Sequence, residues 1–162
     1  MTTIAWSAKT NTLAADSRIV GGALMFDAEK TSVLEDGTVL ACYGTYQDSM
    51  ELVQWWNDGA DPASWPPRQR CDPPVAGLVV ITNKGKCMWF EGGPVPMRSE
   101  GSKFLAWGSG ADFAMGAMAM GATPEQAVAI AARFNNETGG KICVRACGVN
   151  ARRRKQPCSL RE

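Results

Sequence analysis

Short apolar runs, each closed by turn residues, fill the first 44 positions of the chain. β-prone residues at 2–8 and 12–16 flank Lys9-Thr10-Asn11, the pattern of a hairpin. Gly21-Gly22 interrupts the run, and 23–26 and 30–34 predict further strands. Glu35-Asp36-Gly37 then predicts a tight turn into an apolar strand over 38–43. These segments read as consecutive antiparallel strands.

The period changes after Gly44. Met50, Leu52, Val53 and Trp56 fall near helical spacing and predict a helix over 46–57. Five prolines make 58–74 a loop. Strands resume at 75–82 and 86–91 around Asn83-Lys84-Gly85, and again at 104–107 after a Gly/Pro-rich connection. A helix rich in Ala and Met is predicted over 111–121. Thr123-Pro124-Glu125-Gln126 opens the next as a capping box, with Ala127, Val128, Ile130, Ala131 and Phe134 on its apolar face. Gly139-Gly140 is expected to end it, and 142–146 to form a last strand. Strands, one helix, strands, two helices and a strand, with no internal repeat, suit an α+β fold with two sheets packed between helices.

Composition narrows the function classes. The 162 residues suit one domain, and 45% hydrophobic with 20% charged residues argues against disorder. No apolar run reaches the roughly 18 residues of a membrane span. Charge is uneven: residues 145–162 hold six basic residues and one acidic one, while residues 1–144 are net acidic. The expectation is a single domain over 1–148 and a basic, solvated, disordered tail over 149–162. The run Arg152-Arg153-Arg154-Lys155 leaves a nucleic-acid module as a rival reading, although nucleic acid is not the expected partner. Cys42, Cys71, Cys87, Cys143, Cys147 and Cys158 show no Cys-x-x-Cys spacing and no secretory leader precedes them. They are expected to be free, mostly buried thiols of a cytoplasmic protein.

The decisive count is zero histidines. Ser-His-Asp and Cys-His mechanisms are excluded, and the commonest zinc ligand is missing. No metal or cofactor is expected. A hydrolase built from this chain must take its base from a carboxylate, a lysine or a terminal amine. Met1 precedes Thr2, and trimming Met1 would expose Thr2 with a hydroxyl and an α-amine side by side. An α-amine of pKa about 7.7–8 is partly neutral near neutral pH and can deprotonate its own hydroxyl.

Five local patterns then occur in order. They are Thr2-Thr3-Ile4; Leu13-Ala14-Ala15-Asp16-Ser17-Arg18; Lys30; Gly44 with Asp48; and Gly108-Ser109-Gly110 ahead of a helix. Over roughly residues 2–145 the chain resembles the β-type subunits of the proteasome family and the HslV-like peptidases. The resemblance implies a four-layer αββα sandwich of two antiparallel sheets, the fold of N-terminal-nucleophile hydrolases. It implies a threonine-type peptidase in which Thr2 is nucleophile and base. Lys30 would lower the amine pKa, Asp16 would orient Lys30, and the Gly44 N–H would form the oxyanion hole. Ser109 would position the amine. Cys42 and Thr45 fall where the family lines its substrate site. A homo-oligomeric ring fed with unfolded polypeptide, with an ATPase unfoldase as possible partner, is implied in the same way.

Three departures stand out. Asn135 occupies the place of a family acid ahead of Thr138-Gly139-Gly140, the Pro-rich 58–74 segment replaces a longer helical region, and the basic tail has no counterpart. Blander readings stay open: Asp16 and Lys30 as a surface ion pair, Ser109 as a helix cap, Met115, Met118 and Met120 as packing, and Trp55, Trp56 and Trp65 as core. The rival functions are a catalytically silent ring or scaffold protein and an N-terminal-nucleophile amidase acting on a small molecule.

Overall fold

Hydrophobic alternation sorts the strands into faces, and the faces stack into layers. The computed structural model describes residues 2–67 and 74–148. Strands β1 (Thr3–Ser7) and β2 (Thr12–Asp16) form the predicted hairpin, with Asn11 in the left-handed region at φ 48°. They lie at the centre of a four-stranded antiparallel sheet, between β10 (Phe104–Gly108) and β11 (Ile142–Ala146). A second antiparallel sheet runs in the order β5 (Thr31–Val33), β6 (Val39–Gly44), β7 (Ala76–Ile81), β8 (Cys87–Glu91), β9 (Met97–Arg98).

The two sheets face each other. Ile4, Trp6, Leu13 and Ala15 of the first meet Val39, Ala41, Tyr43, Val79 and Ile81 of the second in one buried cluster. The outer face of the first sheet carries Ala5 and Ala14. These small side chains admit α2 (Ala111–Ala119) and α3 (Pro124–Phe134), packed through Ala114, Met118, Ala127 and Val128. The outer face of the second presents Leu40, Leu78 and Val80 to α1 (Tyr46–Asn57) through Leu52 and Trp55, with Trp65 and Phe90 closing the cluster. The result is the expected α+β sandwich, layered αββα. β7 reads Ala-Gly-Leu-Val-Val-Ile without alternation because both of its faces are buried.

Local signals placed several elements well. α1 spans the expected residues, and α3 opens with the expected capping box: Thr123 Oγ1 accepts from Gln126 N, and Gln126 Oε1 accepts from Thr123 N at 2.9 Å. Other expectations need correction. The first 44 residues do not form one run of neighbours. β3 (Arg18–Gly21) pairs only with β4 (Leu24–Asp27), as a separate hairpin between the sheets' strands. β3 and β9 are too short to show a period. α3 ends at Phe134, because Asn135 leaves helical geometry, so Gly139-Gly140 belongs to a following turn. Cys143 is disulfide-bonded, whereas Cys42, Cys87 and Cys147 are free and buried. Met118 is core and Met120 is exposed. Met1, Cys71, Cys158 and the basic tail over 149–162 lie outside the described residues. Among those described, no helix is long and apolar enough to cross a membrane.

Candidate active site

Asp16 ends β2 and is 1% exposed. A carboxylate so buried needs donors, and the fold supplies three. Oδ1 accepts from Thr3 N at 2.7 Å and from Lys30 Nζ at 3.2 Å, and Oδ2 accepts from Gly139 N at 3.0 Å. Lys30 immediately precedes β5 and is 4% exposed, and its Nζ also donates to the Arg18 carbonyl at 2.6 Å. The surface-ion-pair reading is therefore overturned: both partners sit inside the sandwich. Burial lowers the Lys30 pKa below its ordinary value, and the Asp16 charge and hydrogen bond oppose that fall.

Thr2 directly precedes β1 and is 3% exposed. Gly108 pairs with Thr3 in register and has φ +90°. A Cβ at Gly108 would collide with the Thr2 carbonyl oxygen, so only glycine lets β10 end against the nucleophile candidate. Ser109 follows. Its Oγ is buried and has no hydrogen-bond partner among the described residues. It does not cap α2, whose N-cap is Gly110 with no side-chain bond. Asn135 comes to the same loop and bonds Ser109. Its Nδ2 donates 2.7 Å to the Ser109 carbonyl, while its Oδ1 accepts from Glu137 N at 2.9 Å. Asn135 thus holds the backbone of the loop and leaves the Ser109 hydroxyl unengaged.

Gly44 ends β6 at φ +94°, where a Cβ would strike the Val75 carbonyl oxygen. Thr45 N donates to that same oxygen at 2.9 Å. Gly44 and Thr45 border a groove of about 430 Å³ whose other wall is the β3–β4 hairpin, through Ile19, Val20, Gly21 and Phe26. Cys42 is not in that wall. It is 2% exposed in the α1-side core, with its Sγ 3.7 Å from the Lys30 carbonyl, and burial pushes its thiol pKa up.

Sequence comparison finds no matching family model and no matching curated protein. Structural comparison does. HslV from Trypanosoma brucei superposes with a TM-score of 0.67 at 19% identity, covering 88% of this chain and 97% of that one. BPH of Thiobacillus denitrificans in complex with epoxomicin superposes at 0.66 and 20% identity, covering 88% and 96%. The uncomplexed BPH gives 0.63 at 17% identity.

The chain has the HslV fold. Within that fold, Asp16 at the end of β2, Lys30 and the 135–140 turn are joined to Thr3, the residue after Thr2, and β10 ends against the Thr2 carbonyl. Three contributors escaped the sequence reading. Arg18 Nη1 donates to the Asn136 and Thr138 carbonyls at 3.2 and 3.3 Å. Its own N–H and that of Ser17 donate to the Gly139 carbonyl. Thr138 Oγ1 meets Thr3 Oγ1 at 2.6 Å, both residues fully buried. The Thr138-Gly139-Gly140 motif marked the turn, but nothing local marked what its hydroxyl would touch. Among the described residues no group of three or more His, Cys, Asp or Glu could hold a metal ion. The cluster offers a hydroxyl, a buried cation, a carboxylate and an unengaged serine hydroxyl: equipment for acyl transfer.

Proposed function

We propose that this chain is a threonine-type peptidase whose nucleophile is Thr2, freed by cleavage after Met1. The observation that carries this reading is the buried Lys30–Asp16 pair, tied through Thr3 N to the residue next to Thr2, in a chain with no histidine. The Thr2 α-amine takes the proton from Oγ, and Oγ attacks the peptide carbonyl. Lys30 keeps the amine partly neutral by like-charge repulsion. The N–H of Gly44, a residue bordering the groove, receives the developing oxyanion, a contribution of roughly 3 kcal/mol. The protonated amine then protonates the leaving amine, and the acyl-threonine ester forms. Water, deprotonated by the same amine, hydrolyses that ester and restores the hydroxyl. The Ser109 hydroxyl, without a partner among the described residues, is available to orient the amine.

The HslV fold and the family resemblance support a cytoplasmic homo-oligomeric ring acting on unfolded polypeptide, with an ATPase unfoldase as partner. The groove between Gly44–Thr45 and the β3–β4 hairpin suits an extended chain. The test combines intact mass and turnover. Purified wild type should lose Met1, hydrolyse small peptide amides and gain a single adduct from an epoxyketone. Thr2→Ala should abolish both hydrolysis and adduct. Unchanged turnover by Thr2→Ala would sink the reading. A ring that takes no adduct and cleaves nothing would identify a scaffold protein instead.

A further inference from the structure

Thr2 stands one residue outside β1, at a position where chain ends ordinarily fray. Its placement therefore depends on how firmly Thr3 is held. Thr3 is held by two side chains, Asp16 at the end of β2 and Thr138 in the 135–140 turn. Its N–H donates to Asp16 Oδ1 at 2.7 Å, and the other oxygen of that carboxylate accepts from Gly139 N. Its hydroxyl meets Thr138 Oγ1 at 2.6 Å. The sheet fixes the path of the strand through β10 and β2, and these two bonds fix the backbone and the side chain of its first residue. Gly110 completes the arrangement. A Cβ there would collide with Thr3 Oγ1 and come within 2.9 Å of Thr138 Oγ1, so the hydroxyl pair is pressed against the first residue of the Gly110–α2 junction. Thr3 thereby links the nucleophile's strand, the Ser109–Gly110 loop and the 135–140 turn.

We infer that Thr3 is a positioning residue for the nucleophile, acting through its hydroxyl bond to Thr138. The inference rests on the peptidase reading above. Misplacing a reacting group by about 1 Å costs on the order of 100-fold in rate. Substrate affinity depends instead on the groove along β3 and Thr45, which Thr3 does not line. Loss of the hydroxyl should therefore act on kcat and spare KM.

Thr3→Val keeps the shape and the β-branch and removes only the hydroxyl. It should lower kcat by on the order of 10- to 100-fold with KM within about twofold. Thr3→Ser restores the hydroxyl and should keep kcat within about threefold of wild type. Thr138→Val should match Thr3→Val, and the double Val variant should lose little more than either single one, because the pair acts as a unit. The rate of epoxyketone adduct formation should fall in the same order, and circular dichroism verifies that each variant is folded. An active wild type with Thr3→Val at wild-type kcat, or with additive losses in the double variant, overturns the inference and leaves the peptidase reading standing. Should Thr3→Val fail to fold, Thr138→Val with unchanged kcat overturns it alone. A wild type that neither cleaves nor takes the adduct overturns both.

Discussion

Two buried regions of this molecule are built by opposite rules. Beneath α1, Trp55, Trp65 and Phe90 meet edge-on or tilted, with ring centroids 4.8 to 6.4 Å apart, and the cluster holds together by area and shape. At the start of β1, Asp16, Lys30, Thr3, Thr138 and Gly139 are equally buried and joined by directional bonds. The aromatic region tolerates a donor without a partner, since Trp65 Nε1 is buried and unbonded. The polar region has a carboxylate with three donors. Ser109 Oγ, buried and without a partner among the described residues, follows Gly108, which abuts the Thr2 carbonyl. A core can absorb a change of shape. A buried charge cannot absorb the loss of its partner.

The largest expected effect breaks the polar region. Lys30→Met keeps much of the volume but leaves Asp16 as an unpaired buried carboxylate. Stability should fall by about 3–5 kcal/mol, read from chemical denaturation. Peptide hydrolysis by the folded fraction should fall by at least about 100-fold. A folded, active Lys30→Met protein would show that the pair is ornamental. A smaller effect is expected in the aromatic region. Trp65→Phe should cost less than about 2 kcal/mol, since it trims a ring and also removes an orphaned donor. Activity per folded molecule should not change. If Trp65→Phe destabilised as much as Lys30→Met, the contrast between the two regions would be lost.

The smallest effect sharpens the comparison by pH. Burial between the sheets pushes the Cys87 and Cys147 thiols up to about 12, from an ordinary 9.0. The folded state keeps protons that the unfolded chain releases, so this stabilisation is full below about pH 9 and is lost as pH rises toward 12. Lys30, with its pKa lowered, acts in the opposite sense. The measurement is therefore a difference: the denaturation midpoint of Cys147→Ala should fall less steeply than that of wild type between pH 9 and 11. Parallel slopes would contradict the burial of that thiol.

Much of the fold was legible where the signal is local. α1, the capping box of α3 and β11 follow from residues within one turn or one strand of each other. β4 was legible within one residue, as the 23–26 segment after Gly21-Gly22, but β3 and β9 are too short to show a period and were not. The candidate site was legible in its membership through the ordered motifs, but not in its contacts. Asn135 was placed by its motif, but its bond to the Ser109 carbonyl came only from the fold. Cys42 was expected at the substrate and lies in the core.

The residue string by itself determined that no imidazole chemistry is possible, that the elements alternate as a two-sheet sandwich with outer helices, and which glycines can pass through positive φ. These depend on composition and on neighbours along the chain. Only the tertiary structure decided that Asp16 bonds residues 13, 14 and 123 positions away, that Cys143 is bonded, and that Thr3 meets Thr138 across 135 residues. Those contacts exist because closing the sandwich removes water from the end of β2, and the Asp16 carboxylate trapped there finds its partners on other strands and turns.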